Sequence, residues 1–342
     1  MSDGLIEIVE RLLADGKGLL AMDESNGTCN RRFAAAGIAQ TEEARRRYRE
    51  MILTTDGLGE CVSGVILYDE TLRQATAEGT PFLKLIADVG IVPGVKVDAG
   101  AKDLAGHAGE KITEGLDGLR ERLAAYHAMG ARFAKWRAVI GVREGLPSRA
   151  CIDANAHALA RYAALCQEAG MVPIVEPEVL MAGAHTLAAC KAATEATLRA
   201  VFVQLALQGV RLEAMILKPN MVLPGLRHTS PSGVDEVAHA TLETLRRVVP
   251  AAVPGIAFLS GGQSGELASQ RLNAMNMPHR TPRADAPWAL TFSFARAIQQ
   301  PALEIWADND ANRAKAQRAL LHRARCNRAA RRGIYTAATE TE

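Results

Sequence analysis

Eight short apolar runs recur along the chain, each closing on polar or charged residues, and this repeat limits the possible folds more than any other feature. The runs are GLLAMD (18–23), VSGVILYDE (62–70), VPGVKVD (92–98), RFAKWRAVI (132–140), VPIVEPE (172–178), EAMILKPNM (213–221), GIAFLSGG (255–262) and ALTFSFAR (289–296). Their polar ends fall at Asp23, Asp69, Asp98, Arg137, Glu178, Asn220, Gly262 and Arg296, with spacings from 29 (Asp69 to Asp98) to 46 residues (Asp23 to Asp69). Rich in Val, Ile, Leu and Phe, they read as buried strands. Helical segments lie between them: 153–169 with Asp153 as N-cap and Gly170 as stop, 185–208 closed by Gly209, then 233–247 and 264–275. Eight alternations of strand and helix specify a parallel sheet with crossover helices, and eight such units favour closure. No break among them resembles a linker. The expectation is one α/β domain, a (β/α)8 TIM barrel over 1–307, with 308–342 as a C-terminal helix and tail on or near it.

Composition agrees with a large buried core. Of 342 residues, 48% are hydrophobic and 23% charged, which excludes disordered, collagen-like and disulfide-scaffold classes. Forty Lys and Arg against 38 Asp and Glu give a net charge of +2, unlike a dedicated nucleic-acid binder. No apolar run approaches the roughly 18–20 residues of a membrane helix. The first residues lack the basic and apolar regions of a secretory signal, so the cytoplasm is the expected compartment. Six cysteines (29, 61, 151, 166, 190 and 326) include no CxxC pair and are read as reduced thiols without a metal role. Residues 311–333 carry Lys315 and seven arginines with no acid on a helical pattern. They read as a solvated basic helix or as a surface that draws in anions. The residues after it are expected to form a mobile end.

In such barrels the active site forms at the C-terminal ends of the strands. Residues i and i+2 of a strand share a face, which pairs Lys96 with Asp98, Lys135 with Arg137, and Glu176 with Glu178. Lys218 ends the next strand and Arg296 the last. Cations and carboxylates therefore converge on one mouth. Lys218 follows Ala214-Met215-Ile216-Leu217 and precedes Pro219, so apolar surface sheathes its stem. Desolvation and a neighbouring cation such as Lys135 favour a neutral amine, the form that attacks a carbonyl to give a Schiff base, an electron sink. Glu176 can then donate and accept a proton. In Leu259-Ser260-Gly261-Gly262-Gln263-Ser264, two glycines and a helix start offer backbone N–H groups to an oxyanion. Arg296 can add a bidentate contact. A sugar phosphate fits these features, and two phosphates fit if Arg32 or Lys96 reaches the far end.

At these residues the chain resembles the class I fructose-bisphosphate aldolases, from about residue 15 to about 335. The carriers are LLAMDESNGT (19–28), VPGVKVDAG (92–100), FAKWR (133–137), IVEPEVL (174–180), ILKPNMV (216–222), FLSGGQS (258–264) and SFARAI (293–298). The resemblance implies an eight-stranded barrel with a Schiff-base lysine, no metal or other cofactor, and a homotetramer. It implies Lys218 as that lysine, Glu176 as general acid/base supported by Glu178, and Asp23 and Lys135 assisting carbinolamine formation and carbon–carbon cleavage. It places Arg32, Ser260, Gly261, Gly262, Ser293 and Arg296 at the phosphates, with Lys96 near one of them; Arg137 joins this binding set. The implied reaction is reversible cleavage of fructose 1,6-bisphosphate to dihydroxyacetone phosphate and glyceraldehyde 3-phosphate, in glycolysis or gluconeogenesis. Two positions depart from the family pattern. Ala295 stands where Gly is common, and Thr341-Glu342 end the chain where animal members carry a tyrosine, leaving Tyr335 as a candidate substitute.

Other readings make different demands. A Schiff-base barrel aldolase for a deoxysugar or keto-acid needs no pair of phosphate sites. A metal-dependent aldolase needs clustered histidines at strand ends. A non-catalytic barrel scaffold has no use for Lys218 and Glu176.

Overall fold

The structure, a computed structural model, describes residues 2–14, 16–277 and 286–341. Ten strands follow in chain order: β1 Gly18–Met22, β2 Val62–Leu67, β3 Val92–Lys96, β4 Gly100–Asp103, β5 Lys111–Glu114, β6 Phe133–Ile140, β7 Val172–Val179, β8 Ile216–Leu217, β9 Gly255–Phe258 and β10 Ala289–Phe294. Eight of them close into a parallel barrel in the order β1-β10-β9-β8-β7-β6-β3-β2. All eight predicted runs supply one barrel strand each. β4 and β5 form a separate antiparallel hairpin between β3 and β6, which the strand count did not anticipate. β8 is shorter than its run: Leu212–Ala214 is a 3-10 turn, and Pro219, which has no N–H, ends the ladder.

Two apolar layers hold the barrel. Inside its lower half, Leu19, Ala21, Ile66, Val92, Phe133, Val172, Ile174, Ile216 and Ala257 pack together, and Leu5, Val9 and Leu12 of helix Ser2–Leu12 close them from below. The larger layer lies between the outward strand faces and the surrounding helices. Phe133 fits the interior because β3 carries a glycine beside it. Gly94 pairs with Phe133 in register, and a Cβ at Gly94 would lie 2.2 Å from its ring.

The helix expected over 153–169 begins earlier, at Arg149. Ser148 is its N-cap and accepts from the Cys151 N–H at 3.2 Å, while Asp153 sits one turn inside and pairs with Arg149 at 2.6 Å. The others run Leu187–Leu207, Val234–Val248 and Gly265–Asn276. No helix among the described residues is long and apolar enough to cross a membrane.

The C-terminal segment differs from its expected form. Helix Arg313–Arg331 packs on helices Gly265–Asn276 and Arg296–Trp306, burying Ala316, Leu320, Ala324, Cys326 and Ala330. It is only partly solvated: one face and three of its arginines pack on the barrel, while Arg318 and Arg325 remain exposed. Arg323 is buried against Glu340 and Ser269, Arg331 donates to the Leu13 and Lys17 carbonyls, and Arg313 reaches Glu50 and Thr54. Nor does the tail trail away. Ala337–Glu340 form a 3-10 turn, Tyr335 is buried, and its N–H donates to Asn273 Oδ1 at 2.9 Å.

Overpacking a filled interior costs about 1–3 kcal/mol. Gly94→Ala should therefore lower the guanidinium unfolding midpoint, and adding Phe133→Leu should recover part of the loss. An unchanged midpoint for the single variant would contradict the close fit of ring and glycine.

Candidate active site

Above Phe133 and Ile174 the strand interiors change from apolar to charged. Two residues further along β6 and β7, the same faces present Lys135 and Glu176, and two further again Arg137 and Glu178. Lys218 follows β8 directly. Its N–H donates to the Val175 carbonyl at 2.8 Å, which fixes its backbone to β7 despite the short strand. Asn220 completes that anchor: its Oδ1 accepts from the Val179 N–H at 3.0 Å, and its Nδ2 donates to Thr194 at 3.2 Å. The ILKPN segment is thus fastened on both sides of the lysine.

At the centre, one carboxylate touches two ammonium groups. Glu176 Oε1 lies 3.2 Å from Lys218 Nζ, and Glu176 Oε2 lies 3.0 Å from Lys135 Nζ. Lys135 Nζ also meets Asp23 Oδ2 at 2.6 Å. Lys135, Glu176 and Lys218 are each only 3% exposed, so these charges are compensated by one another rather than by water. Burial alone would raise the Asp23 carboxyl. The ammonium groups of Lys135, Lys218 and Lys96 outweigh it and hold the group at about 2. For Lys135, burial favours the neutral amine but is overcome by Asp23, Glu176 and Asp98, so its pKa rises and it is a fixed cation. Lys96 reaches Asp98 at 2.6 Å, and Arg137 pairs with Glu178. Asp98 also accepts from the Arg137 and Gly100 N–H groups, tying the start of the hairpin to the mouth.

These groups line a cavity of about 560 Å³ at the C-terminal end of the barrel. Its wall includes Asp23, Lys96, Lys135, Arg137, Glu176, Glu178, Lys218, Ser260, Gly261, Gly262, Ser293 and Arg296. One side is built to receive an anion. Gly261 and Gly262 have φ of 57° and 86°, a left-handed pair that folds Ser260–Gly262 back toward the cavity. Gln263 holds the turn by donating to the Ser260 carbonyl. The Ser293 hydroxyl is buried with no hydrogen-bond partner, and Arg296 has no acidic partner among the described residues. Ala295 lines the same wall, so its methyl borders the anion side.

Arg32 is the one predicted residue that stands apart. Its guanidinium pairs with Glu24 and donates to Gln300 at 3.1 Å, and it borders a neighbouring cavity of about 930 Å³ that shares Gly262 and Arg296 with the mouth. Glu24 went unnoticed in the sequence, although it adjoins Asp23; it turns away from the mouth centre to bridge Arg32 and the buried Arg49. Ser25 and Thr28, inside the LLAMDESNGT motif, and Tyr68, at the end of the second apolar run, also line the mouth, although no role was assigned to them. Tyr335 does not line it; its hydroxyl donates to Glu340 at 2.5 Å.

A (β/α)8 barrel that holds a buried lysine against a carboxylate, beside an anion-binding turn, belongs to the lysine-dependent barrel enzymes. A sequence model of the class-I fructose-bisphosphate aldolases matches residues 4–342. A probable fructose-bisphosphate aldolase class 1 of Xanthomonas campestris is 53% identical over 324 residues, covering 94% of this chain and 96% of that protein. The cytosolic fructose-bisphosphate aldolase 5 of Arabidopsis thaliana is 50% identical over 338 residues, covering 98% and 92%. A Plasmodium falciparum fructose-bisphosphate aldolase, solved with TRAP and a small-molecule inhibitor, superposes with a TM-score of 0.95 at 43% identity, covering 98% of this chain and 96% of that one. This chain belongs to the class-I fructose-bisphosphate aldolase family, and it is an enzyme of that class.

Because the Asp23 pKa is depressed on folding, its contribution to stability is complete above its ordinary value of 3.8 and is lost as the pH falls toward about 2. Asp23→Asn should flatten the pH dependence of unfolding free energy across that window. An equally steep acid limb in the variant would mean that other carboxylates carry it.

Proposed function

We propose that Lys218 forms the Schiff base and that this site cleaves fructose 1,6-bisphosphate reversibly to dihydroxyacetone phosphate and glyceraldehyde 3-phosphate. The observation that carries the reading is the single buried carboxylate of Glu176 lying between Lys218 Nζ and Lys135 Nζ. Lys218 passes one proton to Glu176, and the neutral amine attacks the C2 carbonyl. The carbinolamine nitrogen gives its extra proton to the former carbonyl oxygen, which takes a second proton from Glu176 and leaves as water, producing an iminium and restoring the Glu176 carboxylate. Glu176 then removes the C4 hydroxyl proton, the C3–C4 bond breaks, and its electron pair moves into the iminium to form an enamine. The aldehyde product departs. Protonation of the enamine at C3, followed by water attack on the iminium, releases the second triose and restores the amine.

The other residues serve charge and position. Lys135 remains cationic and stabilises negative charge developing on oxygen, with Asp23 holding it in place. Glu178 orients Arg137 across the mouth. One phosphate is read at Ser260, Gly261, Gly262, Ser293 and Arg296, where backbone N–H groups meet a hydroxyl and a guanidinium that have no protein partner among the described residues. The other falls toward Lys96 and Arg137, a site that a substrate with one phosphate would leave empty. Arg32 adds positive charge from the adjoining cavity and fixes Glu24. By family resemblance the enzyme is a cytoplasmic homotetramer that needs no metal or cofactor for this chemistry. Residues 1–307 form the barrel unit and 308–342 an extension of it.

Borohydride added with dihydroxyacetone phosphate should inactivate the enzyme and leave one reduced adduct on Lys218, as read by peptide mass. An adduct elsewhere, or none, would refute the assignment. Lys218→Ala should abolish turnover with the fold retained. Glu176→Gln should lower kcat by about 10²–10⁴-fold, the usual range for a lost acid/base group. A chelator should leave the cleavage rate unchanged.

A further inference from the structure

Helix Arg313–Arg331 and the 3-10 turn Ala337–Glu340 bring together three metal-ligating side chains that the aldol chemistry does not use. His322 and Cys326 lie one helical turn apart and so share a face, a spacing passed over when the cysteines were read as free of metal roles. His322 Nε2 is 3.6 Å from Cys326 Sγ and 3.6 Å from Glu340 Oε2. The three ligand atoms all lie within 4.8 Å of one another. Zinc binds sulfur at about 2.3 Å and imidazole nitrogen at about 2.0–2.1 Å in tetrahedral geometry, which separates ligand atoms by roughly 3.5 Å. The two distances from His322 match that spacing before any ion enters, and the Cys326 and Glu340 ligand atoms lie within 4.8 Å of each other.

The surroundings also suit a metal site. Cys326 is buried and free of any disulfide, whereas His322 keeps about a third of its side-chain surface, giving an ion a way in. Glu340 is held on two sides: Arg323 donates to both of its oxygens at 2.6 and 2.5 Å, and the Tyr335 hydroxyl donates at 2.5 Å. Supporting contacts of this kind orient a ligating carboxylate. Arg323 itself is fixed by Ser269 of helix Gly265–Asn276, so the cluster is braced against the barrel's own helices.

We propose that His322, Cys326 and Glu340 form a binding site for one divalent zinc-class cation, which clamps the C-terminal tail onto helix Arg313–Arg331. Nitrogen, thiolate sulfur and carboxylate oxygen form a set that prefers zinc to magnesium or calcium. Three protein ligands leave the fourth position to water. Cys326 binds as a thiolate, so its proton leaves to solvent when the ion is taken up.

The test uses the full-length protein, stripped of metal by chelator and titrated with zinc by calorimetry in two buffers of different ionisation enthalpy. The expected result is one ion per chain at this site with release of about one proton. His322→Gln, at a partly exposed position whose loss the fold tolerates, should weaken zinc binding by more than about 100-fold, beyond the loss of a supporting group. Cys326→Ser should do the same and should remove the thiolate-to-cobalt charge-transfer band seen when cobalt replaces zinc. Zinc should also slow amide hydrogen exchange over 334–341 in the parent and not in His322→Gln. Absence of a one-to-one complex would overturn the proposal. So would binding that survives both substitutions in variants with the parent's melting temperature.

Discussion

Everything at the mouth of this barrel depends on one buried anion held between two buried cations. Glu176, Lys135 and Lys218 sit where water scarcely reaches, and each would be costly to bury alone. Together with Asp23 they form a chain of contacts between 2.6 and 3.2 Å in which every charge has an opposite neighbour. Removing one partner of a buried pair typically costs about 3–5 kcal/mol, so the same contacts that tune the chemistry also resist being rearranged. The contacts are asymmetric: Lys135 has two carboxylate partners and Lys218 has one.

The lower barrel makes that arrangement possible. Phe133 and Ile174 lie two residues before Lys135 and Glu176 on the same strand faces, so the polar layer rests directly on a packed apolar one. Gly94 lets the Phe133 ring occupy the interior. The lysine stems are thereby confined, and their ammonium groups have little freedom except upward into the cavity. Asn220 contributes from the other side of the chain, tying the end of β7 to the segment that carries Lys218.

Most of this was legible because strand and charge coincide in the sequence. Short runs of Val, Ile, Leu and Phe that stop at polar or charged residues announce both a buried strand and the side on which it opens. The hairpin of β4 and β5 gave no such signal, since GAKD and KITE are short and mostly polar, and GAKD is largely exposed. The start of helix Arg149–Glu168 was misplaced because Asp153 and Ser148 are both good caps, and only the backbone geometry chooses between them. Arg32 was assigned to a phosphate by the family resemblance, not by any of the quoted motifs. Its direction is set by Glu24 and Gln300, the latter 268 residues away, which no local pattern encodes. The tail was read as loose because TAATETE has no apolar period. Its order comes from Arg323, 17 residues back on the helix, and Tyr335, five residues back, both acting on Glu340.

Helix Ser2–Leu12 closes the bottom of the barrel with Leu5, Val9 and Leu12, and this has a consequence for traffic. With that end filled, the reaction chamber opens through the mouth at the C-terminal ends of the strands. A six-carbon substrate enters by it, and both three-carbon halves must leave by the same route. The half still bonded to the lysine stays at the back of the chamber while the other departs past the charged rim. The order of product release is therefore written into the plumbing of the barrel: the untethered fragment first, the tethered one only after water has cut it free.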